Sequence, residues 1–147
     1  MELSVPKILL IEDNPDDELL TVRAFKKSNL KYELSVARDG AEALDYLFGT
    51  GAYADCDAHD IPHLILLDLK LPKIDGTEVL EHIRQDERTK LIPVVILTSS
   101  KEQEDLIKSY SLGANSCVRK PIDLNQFMDA IQQLGLYWLM LNENVLR

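Results

Sequence analysis

Four apolar, strand-like runs of the chain each end at a polar residue whose chemistry could serve a reaction. Asp68 ends one run, and Glu12 and Asp13 follow an earlier one. Thr98 and Lys120 end the two later runs. A carboxylate that leaves a run of branched aliphatic residues is costly to desolvate unless it has a partner. The other residues could supply that partner, so the pattern predicts a single site.

Three carboxylates in one crevice repel one another unless a cation joins them. Carboxylate and carbonyl oxygens favour a hard divalent ion such as Mg²⁺. That ion could bridge to a phosphoryl oxygen, while Lys120 adds a positive charge and Thr98 a hydrogen bond. The Asp68 carboxylate could then attack phosphorus as a nucleophile and form an aspartyl phosphate. Positioning and charge neutralisation do most of the work in phosphoryl transfer, and these residue types supply both.

The elements that must position these residues alternate between strand and helix. Apolar runs predict strands at residues 7–11, 32–37, 64–67, 93–97 and 116–119. Helices are predicted between them and after the last, at residues 15–28, 41–48, 76–85 and 102–112 and from Asp123 onward. This alternation, with continuously apolar strands, implies an α/β fold in which helices cover both faces of a parallel sheet. Sites in such sheets form beyond the carboxyl ends of the strands, where all five polar residues fall.

The composition limits the partners and the compartment. The chain has 147 residues, which fits one domain, and a formal net charge of −9. An acidic balance argues against nucleic acid and anionic membranes as partners, since both require a basic face. Cys56 and Cys117 lack metal-type spacing and are interpreted as reduced thiols. With no signal peptide or membrane-length apolar run, we expect a cytoplasmic protein.

Together these residues resemble the receiver domain of two-component response regulators. The landmarks run in order over about residues 5–135, namely Glu12-Asp13, Asp68 with Pro72 and Gly76 downstream, Thr98, Gly113-Ala114 and Lys120-Pro121. The resemblance implies a flavodoxin-like, five-stranded parallel sheet of order 2-1-3-4-5. It also implies that a partner sensor histidine kinase phosphorylates Asp68, and that the phosphoryl group shifts a two-state equilibrium by drawing Thr98 inward.

The resemblance also assigns roles to individual residues. The phosphoryl-transfer set would be Asp68, Thr98 and Lys120. Mg²⁺ would be held by Asp13, Asp68 and the backbone carbonyl of Lys70, with Glu12 helping through water. The Lys120–Pro121 bond is expected to be cis, as in the family.

Two positions depart from the common pattern. Many receivers carry Tyr or Phe three residues before the lysine, where its rotamer reports phosphorylation, but this chain has Cys117 there. Tyr110 is a candidate substitute. Lys70 and Ser100 occupy the variable positions that are said to tune dephosphorylation, and Lys70 could screen the phosphate from water.

The end of the chain suggests how the signal is passed on. Because the chain stops at Arg147, we expect a single receiver domain over residues 1–147 with an extended C-terminal helix and no output domain. This helix carries an apolar stripe and becomes apolar nearly all round beyond residue 134, which indicates a partner surface. We expect a homodimer through the last helix and fifth strand, or docking to the kinase. The helix and the 49–63 loop resemble single-domain receivers that partner cyanobacterial phytochromes.

Three other functions remain open from the residues. A phosphatase of the haloacid dehalogenase type would need a second Asp two residues after the nucleophile, where this chain has Lys70. A flavodoxin-like cofactor binder would need a phosphate loop rich in Ser, Thr and Gly after the first strand, where Glu12 and Asp13 stand instead. The third is a receiver fold that is never phosphorylated. We expect a phosphoacceptor that assists its own phosphorylation and dephosphorylation but is not an enzyme.

Overall fold

The computed structural model describes residues 6–27, 32–51, 61–98, 108, 110–120, 123, 125–126 and 128–129. The strands are β1 (Lys7–Ile11), β2 (Glu33–Ala37), β3 (Leu64–Asp68), β4 (Val94–Thr98) and β5 (Ser116–Arg119). The helices are α1 (Pro15–Lys27), α2 (Gly40–Phe48) and α3 (Gly76–Gln85). Residues 108 and 110–111 of the predicted fourth helix are helical, as are 125–126 and 128–129 of the last. The predicted cis bond, Ser100 and most of the apolar stripe lie outside the described residues.

The five strands form one parallel sheet in the order β2-β1-β3-β4-β5, which confirms the predicted topology. The register places Leu67 of β3 beside Ile11 of β1 and Ile96 of β4. The carboxyl ends of these three strands therefore lie level at one edge of the sheet. That edge is where the polar residues of the sequence pattern emerge.

The strand limits differ from the predicted ones by one residue at four places. β3 and β4 each run one residue further than predicted, so Asp68 pairs with Leu97 and Thr98 with Arg119 within the ladder. β4 begins at Val94 because Pro93 has no N–H to donate to the ladder. β2 begins at Glu33. The extra pairing at the carboxyl ends fixes Asp68 and Thr98 more firmly than loop positions would.

The helices cover both faces of the sheet, as predicted. Alternate residues of the central strands point to opposite faces, and each face has its own apolar cluster. On one face, Leu9, Ile65 and Ile96 pack with residues of α2 and α3. On the other face, Leu10 and Leu66 pack with Phe25 of α1. β3 is buried along its whole length, so the apolar run that ends at Asp68 is the centre of the fold.

The caps of two helices are side chains that the sequence offers at their starts. Asn14 Oδ1 accepts hydrogen bonds from the backbone N–H groups of Asp16 (2.8 Å) and Asp17 (3.2 Å), which places the first turn of α1 beside the end of β1. Asp123 Oδ1 accepts from two backbone N–H groups downstream, at 2.8 and 3.2 Å, which confirms its predicted capping role. No helix among the described residues has the length and apolar character that crossing a membrane requires.

Arg84 fastens the end of α3 to the segments that lead into β4 and β5. Its Nε donates to the Gly113 carbonyl (2.9 Å), and its Nη1 donates to the carbonyls of Ile92 (2.7 Å) and Lys90 (3.0 Å). Its Nη2 donates to Asn115 Oδ1 (2.7 Å), which also accepts a backbone hydrogen bond at the start of β4. One guanidinium therefore satisfies acceptors from two separate connections.

Arg84→Lys is expected to lower the free energy of unfolding by about 2 kcal/mol, because an ammonium cannot reach acceptors that are spread around a planar fork. Urea unfolding followed by circular dichroism measures the change. Arg88→Lys is the matched control, since the exposed Arg88 side chain contacts Asp86 and lies over the Phe48 ring. The free energy of unfolding of Arg88→Lys should fall much less than that of Arg84→Lys, because exposed ion pairs contribute little. Equal losses in the two variants would contradict the role given to Arg84.

Candidate functional site

The ends of β1, β3 and β5 bring Glu12, Asp68 and Lys120 together. Lys120 Nζ lies 2.6 Å from Glu12 Oε1 and donates a hydrogen bond to Asp68 Oδ2 at 3.2 Å. The backbone fixes both flanking residues, because Glu12 N donates to the Ala37 carbonyl and Lys120 N to the Thr98 carbonyl, each at 2.9 Å. The cationic partner that the sequence predicts for Asp68 is therefore present in the structure.

Glu12, Asp13 and Asp68 form the one acidic cluster of metal-binding geometry found among the described residues. One ligand oxygen from each residue lies within 4.8 Å of the others. Glu12 and Asp68 are buried, whereas Asp13 is exposed. Oxygen donors of this kind suit a hard divalent cation.

One ammonium group neutralises this cluster in the metal-free structure. Lys120 Nζ lies 2.6 Å from the buried Glu12 Oε1 and also contacts Asp68 Oδ2. A single positive charge therefore faces the three carboxylates of the cluster. Oxygen donors with this excess of negative charge favour a further cation, so the site fits a divalent metal.

Burial and ion pairing together set the electrostatics of the site. Burial raises the pKa of Glu12 to about 7, with Lys120 opposing the rise and Asp68 adding to it. For Lys120, burial works against the ammonium and lowers the pKa, but Glu12, Asp68 and Asp17 outweigh it and the pKa ends above its ordinary value. Lys120 therefore stays charged at neutral pH. One ammonium faces several carboxylates, so the net charge of the site is negative and favours a further cation.

Asp17 belongs to this site, although sequence reasoning did not identify it. Lys120 Nζ donates a hydrogen bond to Asp17 Oδ2 at 3.0 Å, and the Lys120 side chain is only 8% exposed. Asp17 lies in the first turn of α1, a helix that begins close to the end of β1. The signal that could have found it is an acidic residue in the first turn of a helix that starts at the predicted site.

Two further predicted residues lie close to this edge. Thr98 is buried at the carboxyl end of β4, the strand that neighbours β3. Lys70 N donates to Asp68 Oδ1 at 3.2 Å, so the loop after β3 turns back onto the carboxylate. The Lys70 side chain is exposed. The metal-binding role given to its carbonyl stays a prediction.

The position of the usual aromatic residue is held by Cys117, which has Tyr110 as a neighbour. Cys117 lies on β5 opposite Ile96 and is half-buried. Burial raises the pKa of its thiol, and the nearby Tyr110 hydroxyl opposes that rise. Tyr110 is 52% exposed, and burial also raises its pKa. The tyrosine that the sequence offers as a substitute thus lies near the cysteine that replaces the aromatic residue, although its role in read-out stays a prediction.

Comparison with known proteins agrees with this geometry. Residues 8–132 match the model of the response regulator receiver domain. Response regulator Rcp1 of Synechocystis sp. is 41% identical over 139 residues, which span 94% of this chain and 92% of Rcp1. The solved structure of the bacteriophytochrome response regulator AtBRR is 52% identical, with a TM-score of 0.84 over 95% of this chain and 99% of that one.

One solved relative bears on the acidic cluster. The crystal structure of the Mn²⁺-bound form of Rcp1 is 40% identical to this chain, with a TM-score of 0.74, and the match covers 91% of this chain and 94% of that one. That structure holds a divalent ion in a protein of the same fold. It supports the interpretation of Glu12, Asp13 and Asp68 as a divalent metal site.

Proposed function

The chain belongs to the response regulator receiver domain family, and on that premise we propose that Asp68 accepts a phosphoryl group from a partner histidine kinase. One observation carries the proposal. At the carboxyl end of the central strand, the Asp68 carboxylate accepts a hydrogen bond from Lys120 Nζ (3.2 Å) and shares an acidic cluster with Glu12 and Asp13. A nucleophile, a fixed cation and a place for a metal therefore adjoin one another.

The chemistry of the transfer follows from these neighbours. An Asp68 oxygen forms a bond to phosphorus as the bond from phosphorus to the histidine nitrogen of the donor breaks, and the imidazole leaves with the electron pair. Lys120 balances charge on the phosphoryl oxygens, and the Thr98 hydroxyl donates a hydrogen bond to one of them. Asp13, Asp68 and the Lys70 carbonyl would hold Mg²⁺, with Glu12 acting through water. When bound, Mg²⁺ neutralises charge and orients the phosphoryl group.

The relatives support a particular kind of partner. AtBRR is a bacteriophytochrome response regulator, which favours a phytochrome-type sensor histidine kinase as the phosphodonor of this chain. A cytoplasmic location is part of this proposal. We retain a homodimer through the last helix and β5 as part of the proposal. β5 is an edge strand of the described sheet, which supports such a contact.

The alternatives are less well supported. A phosphatase of the haloacid dehalogenase type needs a carboxylic acid two residues after its nucleophile, and that position holds the exposed Lys70. The receiver family match also favours a signalling protein over an enzyme. A receiver that is never phosphorylated would show the same fold, so an experiment must separate it from the proposed function.

The test is incubation with acetyl phosphate and Mg²⁺, followed by intact mass measurement. We expect the mass of one phosphoryl group to be gained, and borohydride reduction with peptide mapping to locate it at Asp68. Chelation of the metal with EDTA should remove the gain. If no mass is gained when calorimetry shows Mg²⁺ bound, the chain is a receiver that does not accept phosphate from this donor class and the proposal fails.

The affinity for Mg²⁺ is expected to fall as the pH is lowered from 8 to 6. Because burial raises the pKa of Glu12 to about 7, this carboxylate becomes protonated over that range and no longer balances the charge of a metal. Below pH 7 the loss should approach about ten-fold per pH unit, since one proton is displaced on binding. Isothermal titration calorimetry at pH 8, 7 and 6 measures it.

Glu12→Gln is the matched control, and its Mg²⁺ affinity should vary little over the same range. The raised pKa of Glu12 has the opposite effect on the stability of the metal-free fold. The stability that Glu12 contributes is fully present below pH 4.5, its ordinary pKa, and is lost as the pH rises through about 7. Adding Mg²⁺ should therefore raise the melting temperature more at pH 8 than at pH 6. An affinity that stays constant between pH 8 and 6 would contradict the role given to Glu12.

A further inference from the structure

Lys120 is surrounded by carboxylates before any phosphoryl group arrives. Its Nζ lies 2.6 Å from Glu12 Oε1, 3.0 Å from Asp17 Oδ2 and 3.2 Å from Asp68 Oδ2. An ammonium group has three N–H donors, and this side chain is only 8% exposed. A new anionic partner can therefore contact Nζ only if one of the present carboxylates gives up its place.

Asp17 is the carboxylate that can leave at the lowest cost. Glu12 is completely buried and would lose its nearby cation, and Asp68 stays in the site because it carries the incoming group. The Asp17 side chain is 28% exposed, so water can solvate its carboxylate once Lys120 has moved away. Its place in the first turn of α1 also favours a negative charge there.

We propose that Asp17 is a positioning residue that holds Lys120 in the unphosphorylated protein and releases it when Asp68 gains a phosphoryl group. This inference rests on the proposed function. The Asp17–Lys120 contact stabilises the starting state, and it is absent once Lys120 contacts the phosphoryl group. Asp17 therefore slows phosphorylation of Asp68. Hydrolysis of the phosphorylated protein begins and proceeds with Lys120 already released, so Asp17 has little effect on its rate.

We call the Asp17–Lys120 contact the latch. The latch should change the rate of phosphorylation and not the rate of hydrolysis, whereas a general effect of charge should change both. Removing any carboxylate near the site makes it less repulsive to an anionic phosphodonor. Asp16 provides the matched control, because it lies one residue earlier in the same helical turn, is exposed, and has no described side-chain contact with Lys120. Asp16→Asn removes the same charge without touching the latch, whereas Asp17→Glu keeps the charge and preserves a partner for Lys120.

The experiment compares wild type with Asp17→Asn, Asp16→Asn and Asp17→Glu, using acetyl phosphate at saturating Mg²⁺. Intact mass measurement follows phosphorylation, and then its decay after the donor is removed. Asp17→Asn should be phosphorylated about five-fold faster than wild type, the factor expected for one partly exposed ion pair, with a decay rate changed less than two-fold. Asp16→Asn and Asp17→Glu should stay within about two-fold of wild type in both rates. Asp17→Ala serves as a second variant, and urea unfolding verifies that each protein is folded.

The possible results distinguish a failure of the latch from a failure of the proposed function. Equal rates in Asp17→Asn and Asp16→Asn, with wild type phosphorylated, overturn the latch and leave the proposed function standing. An equal acceleration of phosphorylation and decay in Asp17→Asn also overturns the latch, because it indicates an effect of charge alone. Failure of wild type to gain a phosphoryl group overturns both.

Discussion

Asp68→Asn is expected to abolish formation of the acyl phosphate while leaving the protein folded. An amide keeps the size and the hydrogen-bonding oxygen of the side chain, but it is not a nucleophile towards phosphorus. The buried position at the end of β3 is filled equally well by either group. Incubation with acetyl phosphate and Mg²⁺, followed by intact mass measurement, should show complete phosphorylation of wild type and none of the variant.

The same substitution should change the stability of the metal-free fold little. Burial and the Asp68 charge both raise the pKa of Glu12, so removing that charge relieves a repulsion, but it also removes the attraction between Asp68 and Lys120. Because the two effects oppose each other, we expect the free energy of unfolding to stay within about 1 kcal/mol of wild type. Asp75→Asn is the control, because Asp75 is exposed and its carboxylate accepts a hydrogen bond from the Thr77 hydroxyl in the first turn of α3. That variant should be phosphorylated like wild type. A phosphoryl group that appears on Asp68→Asn at another residue would show that the proposed acceptor is wrong.

Local sequence patterns were sufficient to predict the edge of the sheet at which this site lies. Continuous apolar runs indicate strands buried on both faces, and alternation with helices indicates parallel pairing. From these two features the carboxyl ends of β1, β3, β4 and β5 must point the same way. The sheet order confirms this, and the register brings Glu12, Asp68 and Lys120 together.

The contacts that tune the site could not be predicted in the same way. The hydrogen bond between Asp17 and Lys120 joins residues 103 positions apart in the sequence. No local pattern specifies it, since it depends on how α1 is capped and placed against the end of β1. The contacts of Arg84 could not be predicted either, because its acceptors belong to two connections whose paths depend on packing. An acidic first turn and a lone arginine are ordinary features of many helices.

Gly76→Ala is expected to lower the free energy of unfolding by about 3 kcal/mol or more. Gly76 was a landmark in the sequence, and the structure shows why a glycine is required there. A Cβ at this position would overlap the backbone carbonyl oxygen of Asp68 and lie 2.6 Å from the Leu69 Cα. Both neighbours are backbone atoms at the end of the buried central strand, so neither can rotate away, and relief requires a shift of the chain. Chemical unfolding of the two proteins measures the loss.

Gly49→Ala separates the effect of space from that of backbone conformation. Gly49 ends α2 in the left-handed region, with φ near 66°, so a side chain there costs about 1 kcal/mol of conformational strain. Gly76 is not one of the described glycines with a positive φ. The stability that Gly76→Ala loses should therefore come from the overlap alone. Because the overlapped atom is the Asp68 carbonyl oxygen, the folded fraction of Gly76→Ala should also be phosphorylated at least about ten-fold more slowly at saturating Mg²⁺. Gly49→Ala should keep the wild-type rate. A Gly76→Ala protein that loses stability but is phosphorylated at the wild-type rate would show that the contact supports the fold without positioning the acceptor.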